Sequence, residues 1–426
     1  MAKRFEYAKN SILLVVGSGL AQVLPLAFQP YLRRTFSDVE FGLFAQYFSI
    51  VSIVALIAGL KYDASIMIPK SDRASQHILT GTVFINLCSS FLFLVLLFLF
   101  GHHFLGAAGL SQKLENYFWL MPISVFLIST NLAINYWLTR KKFFRGIVIN
   151  KVSRRAVEAG ARVGFASKLV KGGMIYGGVI GDLINLIVSV FQYVKSGGKI
   201  KMYRKQQVLK ELKEQIDFPK YSLLPNVLNV ISARVPVFLF AILYGDAILG
   251  QFDGSQQMLA IPLGLISISL SQVLYQRIVD DVNNNRKIMR FIRNNFMFLA
   301  GLSIIGVIIV MPFGVEITTI YYGDNYELSG QITQILVISY GIKFIVSPLS
   351  MTLVGLKKLK LVAIWQATYF LMTICLFFIE DMAIQDFVII IVAIDVIAYF
   401  FYGALIYSAA RKHDKKIEDL IQSQKD

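Results

Sequence analysis

Blocks of about 20 apolar residues, separated by short polar strips, recur along the whole 426-residue chain. A helix needs about that length to cross a hydrocarbon layer roughly 30 Å thick. Hydrophobic residues make up 56% of the chain, whereas soluble domains usually contain about 45–50%. The sequence therefore predicts an all-α integral membrane protein, and no polar strip is long enough for a separate soluble domain.

The polar strips divide the chain into twelve predicted membrane-spanning helices. The predicted spans cover residues 10–32, 40–60, 78–100, 117–139, 147–167, 174–194, 221–243, 249–272, 295–313, 329–352, 361–379 and 386–408. The first span follows Met1-Ala2-Lys3-Arg4, and a basic start before an apolar run also occurs in signal peptides. Because this run continues to Leu32, a first helix is favoured over a cleaved signal.

The fifth predicted span carries charged residues and is not visible in hydropathy. If this span crosses and the N-terminus is cytoplasmic, the cytoplasmic loops and ends hold 32 of the 42 lysines and arginines, counting Lys151 at the edge of the span. The loops on the opposite side then hold five. Without this span, the eight lysines and arginines of residues 195–220 lie outside, against the positive-inside bias. The loop charges therefore predict that this span crosses and that both termini are cytoplasmic.

The charges of the fifth span also point to a site. A charge at mid-membrane costs about 2.5–3.5 kcal/mol on insertion scales, so such residues normally face a bundle interior or a hydrated cavity. Arg154, Glu158 and Arg162 share one helix face, and Arg155 lies beside that face, one residue around the helix from Arg154. This pattern favours a cationic cavity over the alternatives, an interfacial amphipathic helix or arginines that reach the cytoplasmic surface.

Two further cations lie inside predicted spans. Arg234 in span seven and Lys343 in span ten have apolar neighbours and no obvious partner nearby in sequence. Acidic and amide residues also occur within spans, and each is interpreted first as a hydrogen bond between helices. These residues are Asp182, Asn185, Asn226, Asn229, Asp253, Gln256, Gln257 and Asp395.

An internal repeat divides the chain. The junction of spans one and two (36–44) and that of spans seven and eight (244–252) share three residues in one register, Asp38/Asp246, Gly42/Gly250 and Phe44/Phe252. Six spans per half give a parallel repeat, with ligand sites between the halves. We therefore predict two six-helix bundles around a central cavity, at residues 1–194 and 221–408, with a basic cytoplasmic linker at 195–220 and a cytoplasmic tail at 409–426.

Several short motifs, in order along nearly the whole chain, resemble one family of transporters. They are Asn10, Gly17, Gln22 and Pro30 in span one, Asp38 to Phe44, Phe218-Pro219-Lys220-Tyr221, Tyr322-Gly323-Asp324-Asn325-Tyr326 and Val354-Gly355-Leu356-Lys357-Lys358. Together with the length and span count, they resemble the bacterial polysaccharide flippases, the Wzx-type O-antigen and capsule transporters. That family belongs to the multidrug/oligosaccharidyl-lipid/polysaccharide exporter (MOP) superfamily.

The resemblance implies a function and a setting. The implied substrate is an oligosaccharide on undecaprenyl pyrophosphate, moved from the cytoplasmic to the periplasmic leaflet of the bacterial inner membrane. The implied architecture is a V-shaped pair of bundles that works by alternating access. A polysaccharide polymerase and a chain-length regulator are the implied protein partners, beside the lipid bilayer itself.

The predicted site residues come from the charge pattern, because the family has no fixed catalytic motif to transfer. Arginine suits a pyrophosphate because its planar fork donates to two oxygens and stays protonated. The predicted pyrophosphate contacts are Arg154, Arg155, Arg162 and Arg234, with Lys343 as a further contact. Glu158 is favoured as a counter-ion over a coupling carboxylate, and Asp253 and Asp395 are the other coupling candidates. No cofactor is expected, and coupling to protons or sodium stays open.

Three other functions compete with this interpretation. A drug or cation exporter of the same superfamily would be expected to carry acidic cavity residues, and a lipid II flippase usually has fourteen spans. A membrane-embedded sugar polymerase or transferase would need acid–base groups in a loop or at the interface, but the four histidines, at positions 77, 102, 103 and 413, form no metal or nucleophile pattern. The net charge of +16 is explained by loops facing anionic headgroups, and no nucleic acid is needed. The sequence therefore favours a transporter over an enzyme.

Overall fold

The computed structural model describes residue 19 and residues 21–201, 203–379 and 382–423. The start of the first predicted span, with Asn10 and Gly17, lies outside the described residues. In the described ranges, regular structure consists of α-helices and three short 3-10 helices. The all-α fold predicted from the hydropathy pattern is confirmed.

The helices follow the predicted spans closely. They are α1 (21–35), α2 (Asp38–Ala58), α3 (Tyr62–Ser65), α4 (Asp72–Ala107), α5 (Leu120–Arg140), α6 (Phe144–Ser167), α7 (Gly173–Lys195), α8 (Lys205–Glu214), α9 (Asp217–Asn283), α10 (Met289–Tyr322), α11 (Glu327–Leu349), α12 (Met351–Gly355), α13 (Leu359–Ile374) and α14 (Ile384–Ser423). The long α9 breaks at Gly245, whose φ of +79° is a conformation that glycine adopts readily. Its two parts correspond to predicted spans seven and eight.

Nine helices in the described ranges are long and apolar enough to cross a membrane, with α9 supplying two of the predicted spans. The helix of the fifth predicted span, α6, is not among them. It packs antiparallel along α7, which is one of the nine. An added Cβ at Gly177 of α7 would lie 2.5 Å from Cγ of Arg162, and one at Gly181 would lie 2.8 Å from Cβ of Glu158. Since α6 has 24 residues and rises about 1.5 Å per residue, it is long enough to cross beside α7.

The chain forms two compact units, residues 1–250 and 251–426, with the boundary inside α9. In the first unit, Trp137 of α5 is buried in a core with residues of α3, α4, α6 and α7. In the second unit, Trp365 of α13 is buried among residues of α9, α10, α11 and α14. Other large apolar side chains are exposed, such as Phe98 at 72% and Ile308 at 65%, as expected for helix faces that contact lipid tails.

The predicted linker contains the short helix α8, which packs on α4. Leu212 of α8 is buried, and an added Cβ at Gly81 of α4 would lie 2.8 Å from Cδ1 of Leu212. Tyr203, just before α8, donates to the side-chain oxygen of Gln76. The segment between α7 and α9 is therefore attached to the first unit through α4.

The two copies of the internal repeat contact each other directly. An added Cβ at Gly42 would lie 1.9 Å from the carbonyl oxygen of Asp246, and one at Gly250 would lie 2.0 Å from the carbonyl oxygen of Asp38. Arg33 of α1 donates to the carbonyl of Gly250 at 3.1 Å. Each glycine of the repeat therefore makes room for the backbone of the other copy.

Candidate functional site

Charged side chains on α6 and α7 form two neighbouring sets of ion pairs inside the first unit. Arg155 Nη1 lies 2.9 Å from one carboxylate oxygen of Glu158, and Arg162 Nη2 lies 2.8 Å from the other. Arg154 Nη2 pairs with Asp182 Oδ1 of α7 at 2.7 Å. We call these five residues the α6–α7 cluster, and it contains four of the residues predicted from sequence, with Asp182 as the added partner.

Arg162 is the most enclosed of the three arginines in the cluster. Its side chain is 8% exposed, against 26% for Arg154 and 36% for Arg155. Its Nε donates to the carbonyl of Met174 at 3.2 Å. These contacts hold Arg162 within the α6–α7 packing, while Arg154 and Arg155 keep accessible guanidinium surface.

The cluster carries three guanidinium groups and two carboxylates, which leaves one positive charge in surplus. Because the cluster lies on helices that pack along each other through the predicted membrane, water screens this charge less than at a soluble surface. An anionic group is therefore the ligand that the cluster favours electrostatically. A cationic ligand would meet repulsion there.

Arg234 is linked to the same region through two aromatic rings of α2. The Cζ of Arg162 lies 4.5 Å from the ring centroid of Phe44, and that of Arg234 lies 4.9 Å from the ring centroid of Phe48. The two rings are one helical turn apart and stack with centroids 6.0 Å apart. Cation–π contacts of this kind favour arginine, so Phe44 and Phe48 belong to the candidate site, although sequence analysis did not single them out as site residues.

A second charged cluster lies in the second unit. Lys343 Nζ is 2.6 Å from Asp395 Oδ2, which also accepts from Ser339, and Tyr369 donates to Asp395 Oδ1 at 2.7 Å. Sequence analysis gave Lys343 and Asp395 different roles, as a pyrophosphate contact and a coupling group. The structure brings them together as one ion pair. Asp253, the other coupling candidate, accepts from Gln257 at 2.7 Å on α9.

Replacing Lys343 with methionine should lower the free energy of unfolding by about 3–5 kcal/mol, because it leaves the buried Asp395 carboxylate without its counter-charge. The double variant Lys343→Met/Asp395→Asn should recover most of that loss, because both charges are then gone. Thermal unfolding of the detergent-solubilised protein would measure both effects. A double variant as unstable as the sum of the two single variants would show that the pair is not coupled.

The comparisons with known proteins agree with this architecture. A family model described as "Polysaccharide biosynthesis protein" matches residues 7–280. No curated protein matches the chain significantly.

Three solved structures illustrate the fold. A structure of the lipid II flippase MurJ in an inward closed conformation has a TM-score of 0.76 at 16% identity, covering 97% of this chain and 92% of that one. An inward-facing multidrug resistance MATE transporter of the MOP superfamily has a TM-score of 0.67 at 12% identity, covering 96% and 95%. A mutant of the Vibrio cholerae MATE transporter VcmN has a TM-score of 0.60 at 12% identity, covering 98% and 99%.

The structural likeness, at these low identities, concerns the fold alone. The family assignment rests on the family model, which matches well over half of the chain. The protein therefore belongs to the polysaccharide biosynthesis protein family and has the fold of the MOP-superfamily transporters.

Proposed function

We propose that this protein is a flippase for undecaprenyl-pyrophosphate-linked oligosaccharides. It moves the repeat unit of an O-antigen or capsule from the cytoplasmic to the periplasmic leaflet of the bacterial inner membrane. Family membership supports a role in polysaccharide synthesis, and the fold supports transport rather than catalysis. The observation that carries the proposal is the surplus positive charge of the α6–α7 cluster.

The members of the cluster have different roles in this proposal. Arg155 and Arg154 contact the pyrophosphate, because their side chains are the accessible ones and a guanidinium can donate to two phosphate oxygens. Glu158 and Arg162 hold Arg155 in place through their ion pairs. Arg234 is a further contact, placed by the ring of Phe48.

Transport itself follows alternating access, with the Lys343–Asp395 pair as the coupling group. A proton or a sodium ion that neutralises Asp395 would free Lys343 from its partner and change the packing of α11 against α14. A polysaccharide polymerase and a chain-length regulator would receive the product on the periplasmic side. The cytoplasmic position of both termini is part of the proposal.

The proposal predicts that Arg155→Gln slows translocation by about 10-fold or more, since one charge-assisted hydrogen bond contributes about 1.5–3 kcal/mol. The measurement is translocation of a fluorescent undecaprenyl-pyrophosphate sugar across reconstituted vesicles, read by quencher accessibility. Arg145→Gln is the matched control, because Arg145 is an exposed residue at the start of the same helix.

Two results would contradict the proposal. Equal rates for Arg155→Gln and Arg145→Gln would remove the cluster from the substrate path. Export of cationic drugs by the reconstituted protein, with no movement of the lipid-linked sugar, would favour the drug exporter instead.

A further inference from the structure

A cavity of about 710 Å³ opens between α10, α11 and α14 of the second unit. Each helix lines it with one face, through residues spaced three, four or seven apart. Representative lining residues are Ile292 and Phe296 of α10, Ile345 and Leu349 of α11, and Phe400 and Ala404 of α14. Phe296 and Phe400 are exposed, at 47% and 70%, so the cavity is an apolar groove at the surface of the unit. We call it the lateral groove.

Arg293 is the one charged residue among those that line the lateral groove. It is exposed, lies in the second turn of α10, and has no ion pair to any residue in the described ranges. Arg290, also exposed, precedes it by one turn on the same side of the helix. One end of the groove therefore carries a guanidinium that forms no ion pair within the described part of the chain.

The charged end of the groove is held in place by α14. The carboxylate of Asp414 accepts hydrogen bonds from the backbone amides of Ile288 at 2.7 Å and Met289 at 3.1 Å. Lys287 Nζ pairs with Glu418 at 2.7 Å. Because these contacts fix the start of α10 against α14, the position of Arg293 relative to the groove is set by the fold.

The other end of the groove reaches the second charged cluster. Tyr399 lines the groove, and its ring centroid lies 5.8 Å from Lys343 Nζ. A chain in the groove would therefore run from Arg293 toward the Lys343–Asp395 pair.

We propose that the lateral groove binds the isoprenoid chain of a polyprenyl phosphate lipid, with the phosphate on Arg293. This deepens the proposed function, on which it rests, by adding a loading site that holds the lipid before its pyrophosphate reaches the α6–α7 cluster. Most of the lining side chains are apolar and suit an isoprenoid chain better than a sugar, and a guanidinium at one end complements an anionic head. A two-chain zwitterionic phospholipid fits less well, since it brings a second chain and its own cation. The charged end lies on the predicted cytoplasmic side, where the lipid-linked sugar is loaded.

The test uses undecaprenyl phosphate without sugar, and undecaprenol as its uncharged analogue, on the full-length protein in detergent. Native mass spectrometry should show undecaprenyl phosphate bound about tenfold or more tightly than undecaprenol, because a charge-assisted bond to Arg293 is added. Arg293→Gln should bind the two lipids alike. Ala404→Trp should weaken both by filling the groove.

The control for Ala404→Trp is Ile397→Trp, which adds an indole on the same helix at a position 58% exposed and outside the groove. It should bind undecaprenyl phosphate like the wild type. Ile345→Trp fills the groove from α11 at a half-buried position and should repeat the effect of Ala404→Trp, so the conclusion does not depend on the folding of one variant.

Three outcomes would overturn the proposal: no preference for undecaprenyl phosphate over undecaprenol, equal binding to the Ala404→Trp and Ile397→Trp variants, or equal competition by phosphatidylethanolamine. The last would make the groove an ordinary bilayer contact. Translocation by the wild type without binding in the groove would refute the proposed lipid site but not the flippase function. Binding in the groove without any translocation of the lipid-linked sugar would refute the flippase function alone.

Discussion

Replacing Glu158 with glutamine should lower the free energy of unfolding by about 3–5 kcal/mol, because the change leaves a buried guanidinium without a counter-charge. Glu158 is 5% exposed, and each of its oxygens pairs with an arginine, Arg155 at 2.9 Å and Arg162 at 2.8 Å. Arg155 can turn toward solvent when its partner is lost. Arg162 cannot, because its Nε bond to Met174 and its contact with Phe44 hold it inside the helix packing.

Thermal unfolding in detergent measures the effect, and Glu316→Gln is the matched control. Glu316 is an exposed glutamate in α10 with no ion pair in the described part of the chain, so the same substitution there should change the free energy of unfolding by less than about 0.5 kcal/mol. A Glu158→Gln variant as stable as the Glu316→Gln control would mean that the cluster is hydrated enough to tolerate an unpaired cation.

The second large effect is expected at the contact between the two repeats. Gly42→Ala places a methyl group 1.9 Å from the carbonyl oxygen of Asp246, and Gly250→Ala places one 2.0 Å from that of Asp38. Overpacking a core usually costs about 1–3 kcal/mol when side chains can move aside. Here the obstacle is backbone, so each substitution should cost about 3 kcal/mol or more.

Gly301→Ala is the control for both variants. Gly301 lies inside α10, and an added Cβ there meets nothing within 4 Å. Because alanine is a better helix former than glycine by about 0.5–1 kcal/mol, this substitution should be neutral or stabilising. Gly42→Ala and Gly250→Ala variants as stable as the Gly301→Ala control would show that the crossing at Gly42 and Gly250 is not as tight as the structure has it.

The spans could be predicted from sequence because each depends on a local property. A run of about 20 apolar residues fixes the length of a membrane helix. The positive-inside bias predicted a fifth span despite its arginines, at the place where the structure has the helix α6. The i, i+4 spacing of Glu158 and Arg162 also predicted a shared face. These features are contained within one helix or one loop.

The partners between helices could not be predicted in the same way. Lys343 and Asp395 are 52 positions apart, and nothing in either helix indicates its rotation toward the other. Phe44 and Phe48 look like ordinary apolar residues until the packing of α2 places cations over their rings. The lateral groove, similarly, exists only because three separate helix faces converge.

The paired contacts of Gly42 with Asp246 and of Gly250 with Asp38 limit how this sequence can evolve. If the two halves descend from one duplicated segment, the copies were not free to diverge separately at this place. A side chain gained at Gly42 meets the carbonyl of Asp246, and no substitution at Asp246 removes a carbonyl. The same holds for Gly250 against Asp38. We therefore expect homologues to keep both glycines or to have replaced both, together with a different helix crossing.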